Sequence, residues 1–275
     1  MSTSDLSYRL VIFDPPDDPP AVRDLFVKVT GAHPTDAMQW VARIPGVWPK
    51  PLDEIQVRAL LDGLFDLEIA AEAWRADVFP EFGPIRTIHD VACLDEGFRV
   101  KGLRGEPTHW VPWNKFELIS GGRIETEDEY RDISPPTWVS AIGASARFFM
   151  GRKPTPYRSS RALRVPRDPR TELILVRKEP RVTFRIVALQ MNYAYLGDRL
   201  ATSAAENFPL LLNDIVNRAG EAFATEPTRI LLEGGDADET FFPSTQSLVD
   251  YSLHRLLWSW YRRDRDKEQQ TLMGD

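Results

Sequence analysis

The chain has 275 residues, 43% of them hydrophobic and 27% charged, and a net charge of −7. This is the composition of a soluble globular protein, which excludes collagen-like and low-complexity classes, and the length allows one domain or, more naturally, two. No apolar run reaches the roughly 20 residues needed to span a bilayer.

The opening MSTSDLSYRL has neither the basic region nor the apolar core of a signal peptide. The single cysteine, Cys93, excludes an internal disulfide, and its setting DVACL suits a small buried hydrophobe better than a nucleophile. Together these features predict a cytoplasmic location. The charge is uneven. Residues 147–181 carry eleven Lys/Arg against three Asp/Glu, while the remainder is strongly acidic.

In chain order, residues 8–13 (YRLVIF) read as a strand with Leu10 and Ile12 on one side. A proline-rich loop, DPPDDPP, leads into a helix whose apolar stripe is Val22, Leu25, Phe26 and Val29. Gly31 ends it. Thr35 is a candidate cap for a second helix carrying Met38 and Val41. A stiff Pro45–Pro51 link follows, in which Val47 or Trp48 can pair as a short strand. A third helix is expected from about Asp53 to Gly63, and then an alternating strand, LEIAAEAW, over 67–74.

The segments VRDLFVKVTG, TDAMQWVARIP, DEIQVRALLDGL and LEIAAEAW succeed one another over about residues 6–78. In that order they resemble the C-terminal domain of the ribosomal stalk protein and the similarly built Clp protease adaptor. The resemblance implies a βααβαβ domain and a role in binding proteins. It departs from both families at their contact sites. The basic residues on the first two helices are few, Arg23, Lys28 and Arg43, where the stalk domain is lysine-rich. The adaptor's Asn-Asp-Asp loop is replaced by Asp14-Pro15-Pro16-Asp17-Asp18, in which Asp17 and Asp18 also suit a solvated helix start.

Pro80, Gly83 and Pro84 mark an expected boundary near residues 80–85. The stretch from Gly97 to Glu125 predicts short antiparallel strands, with turns at Gly105-Glu106-Pro107 and at Gly121-Gly122. Pro112 belongs at a strand edge. Gly151–Arg170 has four prolines and no periodicity, and is expected to be a long basic loop. Strands are expected at 171–176, 181–190 and 191–196. Ser203 and Glu206 form a capping box for a helix to about Ala224. Residues 231–239 read as a loop. Ser244 caps a last helix whose Leu248, Tyr251, Leu256, Leu257 and Trp260 are to be buried or to pair with another chain. The strands with a closing helix, and the phrase HWVPWNKFELISGGRIE, are faintly similar to pleckstrin-homology-like domains.

The expected fold class is therefore α+β: a small βααβαβ-type N-terminal domain over 1–80, then a larger antiparallel β-rich domain over 85–275 closed by helices. Two groups of binding residues stand out. Arg104, Glu106, His109, Trp110 and Trp113 surround the central turn, where tryptophan and arginine make good anchors; the tryptophans suit a core better, with Arg104 and Glu106 as an ordinary pair stabilising the turn. Arg152, Lys153, Arg158, Arg161, Arg164 and Arg167 line the basic loop and suit phosphates of nucleic acid or an anionic surface, or an acidic protein surface. No catalytic, metal or cofactor motif stands out. The four histidines lack metal-ligand spacing, and HExxH, CxxC, GxSxG and strand-borne GxGxxG are absent. His89 and Cys93, four apart on strand-like sequence, would sit about 13 Å apart. The reading is a non-enzymatic binding or adaptor protein with a protein partner and a possible homo-oligomer through the last helix. Anion binding through the basic loop is the alternative, and an enzyme with a dispersed site the third.

Overall fold

A computed structural model describes residues 6–101, 107–125, 129–131, 163–165, 169–235 and 238–273. It is an α+β protein. The front part runs β1 (Tyr8–Ile12), α1 (Pro19–Thr30), α2 (Pro34–Val41), β2 (Gly46–Val47), α3 (Glu54–Asp66) and β3 (Ala71–Arg75). This is the expected element order, and its antiparallel sheet is ordered β2-β1-β3.

Local chemistry sets each boundary. Asp18 accepts the Ala21 N–H at 3.1 Å and caps α1, where Pro19 and Pro20 have no donor to leave orphaned. Gly31, at φ 67°, closes it with an N–H to the Val27 carbonyl. Asp18 is thus engaged as a cap. α2 is capped by the His33 ring, whose Nδ1 accepts the Thr35 N–H, and not by Thr35 as expected, because Pro34 already occupies the first helical position. Asp53 and Gln56 form a capping box on α3. That helix continues past Gly63 to Asp66: the glycine is interior, and a Cβ there would lie 2.4 Å from Leu25 on α1.

The second part begins with β4 (Ile85–Ile88), then β5 (Val91–Leu94), β6 (Gly97–Val100) and β7 (His109–Pro112), the last three forming an antiparallel meander. Next come β8 (Phe116–Ile124), β9 (Glu129–Arg131), β10 (Leu163–Val165), β11 (Arg170–Arg177) and β12 (Val182–Val187). The chain ends with α4 (Ala204–Arg218), β13 (Phe223–Ala224), α5 (Glu226–Leu232), β14 (Phe241–Phe242) and α6 (Thr245–Met273). The main sheet is ordered β13-β8-β11-β12-β4, with β14 also on the β8 edge. It is mixed, since β4, β13 and β14 join in parallel.

Four expectations are corrected. Gly121-Gly122 is not a turn but the middle of β8. A Cβ on Gly122 would lie 2.6 Å from the Phe242 ring, and the Gly121 N–H donates to Thr228 Oγ1 at 2.7 Å, so the glycines admit α5 and Phe242 close to the strand. Residues 163–165 lie not in a loop but in β10, paired with β9. Residues 191–196 are not a strand; a 3-10 turn at Ala188–Gln190 precedes them and Ala194–Leu196 belong to a second, Ala194–Arg199. Asp214 holds that segment by accepting from Arg199 and from the Tyr195 hydroxyl. Finally, the helix from Ser203 stops at Arg218 and not near Ala224, and α5 follows between that expected end and the expected loop, taking in Leu231 and Leu232 of the loop.

The period-2 alternation of β11 divides its residues between two cores. Leu173 and Leu175 face α4, the meander and α5. Glu172, Ile174 and Val176 face α6. The front sheet is divided in the same way: Leu10 and Ile12 meet α1–α3, while Val11 and Phe13 meet α6. The long helix therefore lies between two sheets. Leu248, Leu256 and Leu257 are each at most 1% exposed, a burial worth about 1.5–3 kcal/mol for each such side chain. Phe13 stacks on Tyr261 with ring centroids 4.4 Å apart, and Trp74 meets Trp260. The apolar residues of α6 thus find cover inside the chain itself.

Candidate binding cleft

A cleft of about 770 Å3 opens where the front sheet meets the first turns of α6. One wall is the segment from the end of α2 into β2. The Arg43 N–H bonds the Trp40 carbonyl and the Trp48 N–H bonds the Leu10 carbonyl, so the segment folds back along β1. This places Trp40 and Trp48 edge to face with centroids 4.6 Å apart, and Trp48 also meets Phe26 at 4.4 Å. Trp48 is 3% exposed, and its indole N–H is buried without a hydrogen-bond partner. Lys50 Nζ lies 4.8 Å from the centroid of the Trp40 ring.

The opposite wall is the start of α6. Ser244 Oγ accepts the Ser247 N–H at 3.1 Å, which caps the helix as expected. Gln246 donates to Asp250 at 2.8 Å. His254, 5% exposed, donates Nε2–H to the Ile12 carbonyl at 3.1 Å and so joins the two walls. Burial pushes its imidazole down to about 4, against the opposing effect of the Ile12 hydrogen bond, so it is neutral at physiological pH.

Two arginines complete the lining. Arg9 is on the α6-facing side of β1 with its guanidinium 5.4 Å from the Phe79 ring centroid, and its Nε is buried with no partner. Arg43 is exposed at the rim. Among the described residues, neither side chain has an ion pair or hydrogen bond. An exposed arginine in water is ordinary, but a buried guanidinium N–H without an acceptor is not.

Beneath the same helix start lies an ionic cluster. Glu172 is fully buried. Arg185 Nε donates to it at 2.7 Å, Arg170 Nε lies 2.7 Å from the same carboxylate, and Thr245, the first residue of α6, donates to it at 3.1 Å. The cluster fixes the height of the helix start over the main sheet.

The sequence-derived sites fare differently. His109 and Trp110 fall on β7, the edge strand of the meander, with His109 Nε2 at 3.5 Å from Arg86 and Trp110 41% exposed across Gly97. Trp113 takes the core reading and not the rim one. It is 8% exposed and its indole N–H donates to the Leu94 carbonyl at 2.8 Å, which makes it core. Arg104, Glu106, Arg152, Lys153, Arg158, Arg161 and Arg167 lie outside the described residues, and Arg164 is placed only as a position on β10. Cys93 is buried, and its thiol is pushed up to about 12 by that burial. His89 instead contacts the Gln190 carbonyl. Among the described residues, no three His, Cys, Asp or Glu side chains converge to hold a metal, and no helix is long and apolar enough to cross a membrane.

The cleft residues Arg9, Trp40, Arg43, Trp48, Ser244 and Ser247 were not grouped from sequence, because they come from segments some two hundred residues apart. The one local signal was Arg9, a charge on a strand whose other face is wholly apolar. No family model, curated protein or solved structure matches the chain.

Proposed function

We propose that the chain is a non-enzymatic binding protein that engages a partner protein, and that the cleft between the front sheet and α6 takes a short segment of that partner. One observation carries the reading: two tryptophans and two arginines without ion-pair partners line one concavity of about 770 Å3. Tryptophan and arginine are the residues that most often anchor protein interfaces. The volume lies in the range of ligand pockets and suits a few residues of extended chain.

The test is a selection of displayed random 12-residue peptides on the full chain and on the Trp40→Ala/Arg43→Gln variant. Peptides enriched by the parent and lost with the variant are expected. Identical enriched sets from both would end the reading.

A further inference from the structure

We infer that the cleft holds an oxyanion, a carboxylate or a phosphate, carried by the bound segment beside an apolar or aromatic group. This rests on the cleft being the binding site and goes further by naming the chemistry it recognises.

Three independent features converge on negative charge. Arg9 has a buried Nε–H with no acceptor, and no carboxylate approaches its guanidinium among the described residues. A guanidinium held against an aromatic ring and left without a counter-charge is completed by a planar oxyanion, which it binds in a fork. Arg43 supplies a second unpaired guanidinium to the same cleft, from the α2–β2 segment. The start of α6, represented by Ser244, Gln246 and Ser247, forms the facing wall; Ser244 takes the Ser247 and Leu248 N–H groups, which leaves those of Thr245 and Gln246 without an acceptor in the helix. A 29-residue helix directs its positive end there.

The lining carries one opposing charge, Asp250, one turn further along α6. Its carboxylate already accepts from Gln246. His254, deeper still, is neutral, and its Nε2–H is already given to the Ile12 carbonyl. The balance at the mouth is therefore two arginines and a helix start against one engaged carboxylate. Trp40 and Trp48 set the companion chemistry: an apolar or aromatic body lying beside the anion.

The experiment uses the full-length chain labelled at its tryptophan indoles with 15N. The Trp40 and Trp48 signals are assigned by Trp40→Phe and Trp48→Phe. The probes are phenyl phosphate, phenylacetate and neutral benzyl alcohol. Saturable shifts of the Trp40 or Trp48 signals are expected with one or both anions, weakening as salt rises. Arg9→Gln and Arg43→Gln should each weaken binding by about tenfold, as should Ser247→Asp, which places a like charge at the helix start. Arg58→Gln, which breaks a surface pair with Glu54 on α3, should leave it unchanged.

The indole spectrum itself reports whether each variant is folded. Response to phenyl phosphate alone assigns a phosphate, and response to phenylacetate alone a carboxylate. If benzyl alcohol shifts the same signals as strongly as the anions, the oxyanion assignment falls while the cleft as a binding site stands. If no probe shifts them, the assignment also falls, and the peptide selection alone decides the fate of the cleft.

Discussion

Replacing Glu172 by glutamine removes a negative charge that is 0% exposed while leaving the side-chain volume almost unchanged. In the folded protein that charge faces Arg185, Arg170 and the hydroxyl of Thr245. Removing one partner of a buried ion pair costs about 3–5 kcal/mol, chiefly because the other charge stays buried. Here the arginine side chains are 21% and 35% exposed, so water relieves part of that penalty. The expected loss is about 2–3 kcal/mol, below the fully buried range. For a chain of this size it corresponds to a fall in Tm of roughly 5 °C. Urea denaturation followed by circular dichroism measures it. The paired variant Glu172→Gln/Arg185→Gln should recover part of the loss, giving a coupling of at least about 1 kcal/mol in a double-mutant cycle. A Glu172→Gln loss under about 0.5 kcal/mol, or a cycle with no coupling, would refute the view that this cluster holds the helix to the sheet.

Other outcomes follow from single contacts. Because the His254 pKa is about 4 when folded against 6.5 for a free imidazole, only the unfolded chain binds its proton between those values. Stability should therefore fall as pH drops from about 6.5 to 4, by up to about 3 kcal/mol; His254→Gln should flatten that part of the curve of urea midpoint against pH. Gly122→Ala drives a methyl into the Phe242 ring, so it should lower stability by about 1–3 kcal/mol in thermal melts. A residue in a free surface turn would show almost no change. Cys93, buried and with its thiol near 12, should resist an aromatic disulfide reagent in the native state and react fully in denaturant. Rapid native labelling would contradict its placement in the core.

The front part was legible because its boundaries are written in neighbouring residues. Asp18 with two prolines, Gly31, and Asp53 with Gln56 each declare a helix end within four positions. Ser203 with Glu206 does the same for α4. The errors arose where the deciding partner is distant. Gly121-Gly122 carries turn chemistry locally, and only Phe242 and Thr228, more than a hundred positions away, show why a strand needs glycine there. Tyr193 and Tyr195 carry strand propensity, but the Ala188 carbonyl holds the Tyr193 hydroxyl just before the 3-10 turn at Ala194–Arg199, and Asp214 holds Tyr195 inside it. Trp113 could be read as rim or core until Leu94 supplied its acceptor. The cleft was illegible for the same reason, since β1, the α2–β2 segment and α6 share no local pattern.

The position of α6 gives the cleft its mechanical character. Val11, Phe13 and Phe79 on the front side close against Leu257, while Ile174, Val176 and Leu118 on the main sheet close against Leu248 and Leu256. Neither sheet has another helix to cover that face among the described residues. The two parts therefore gain much of their burial from one shared helix, and loosening it exposes both. Two polar contacts fix where its first turns stand: His254 to the Ile12 carbonyl on the front side, and Thr245 to Glu172 on the main sheet. Both lie within ten residues of Ser244, whose end of the helix forms a cleft wall. The cleft's width is thus set by contacts on its far sides as well as by the residues that line it. A segment bound between Arg9 and the helix start would add a third tie between the same two bodies, and its binding free energy would appear as resistance of both sheets to unfolding.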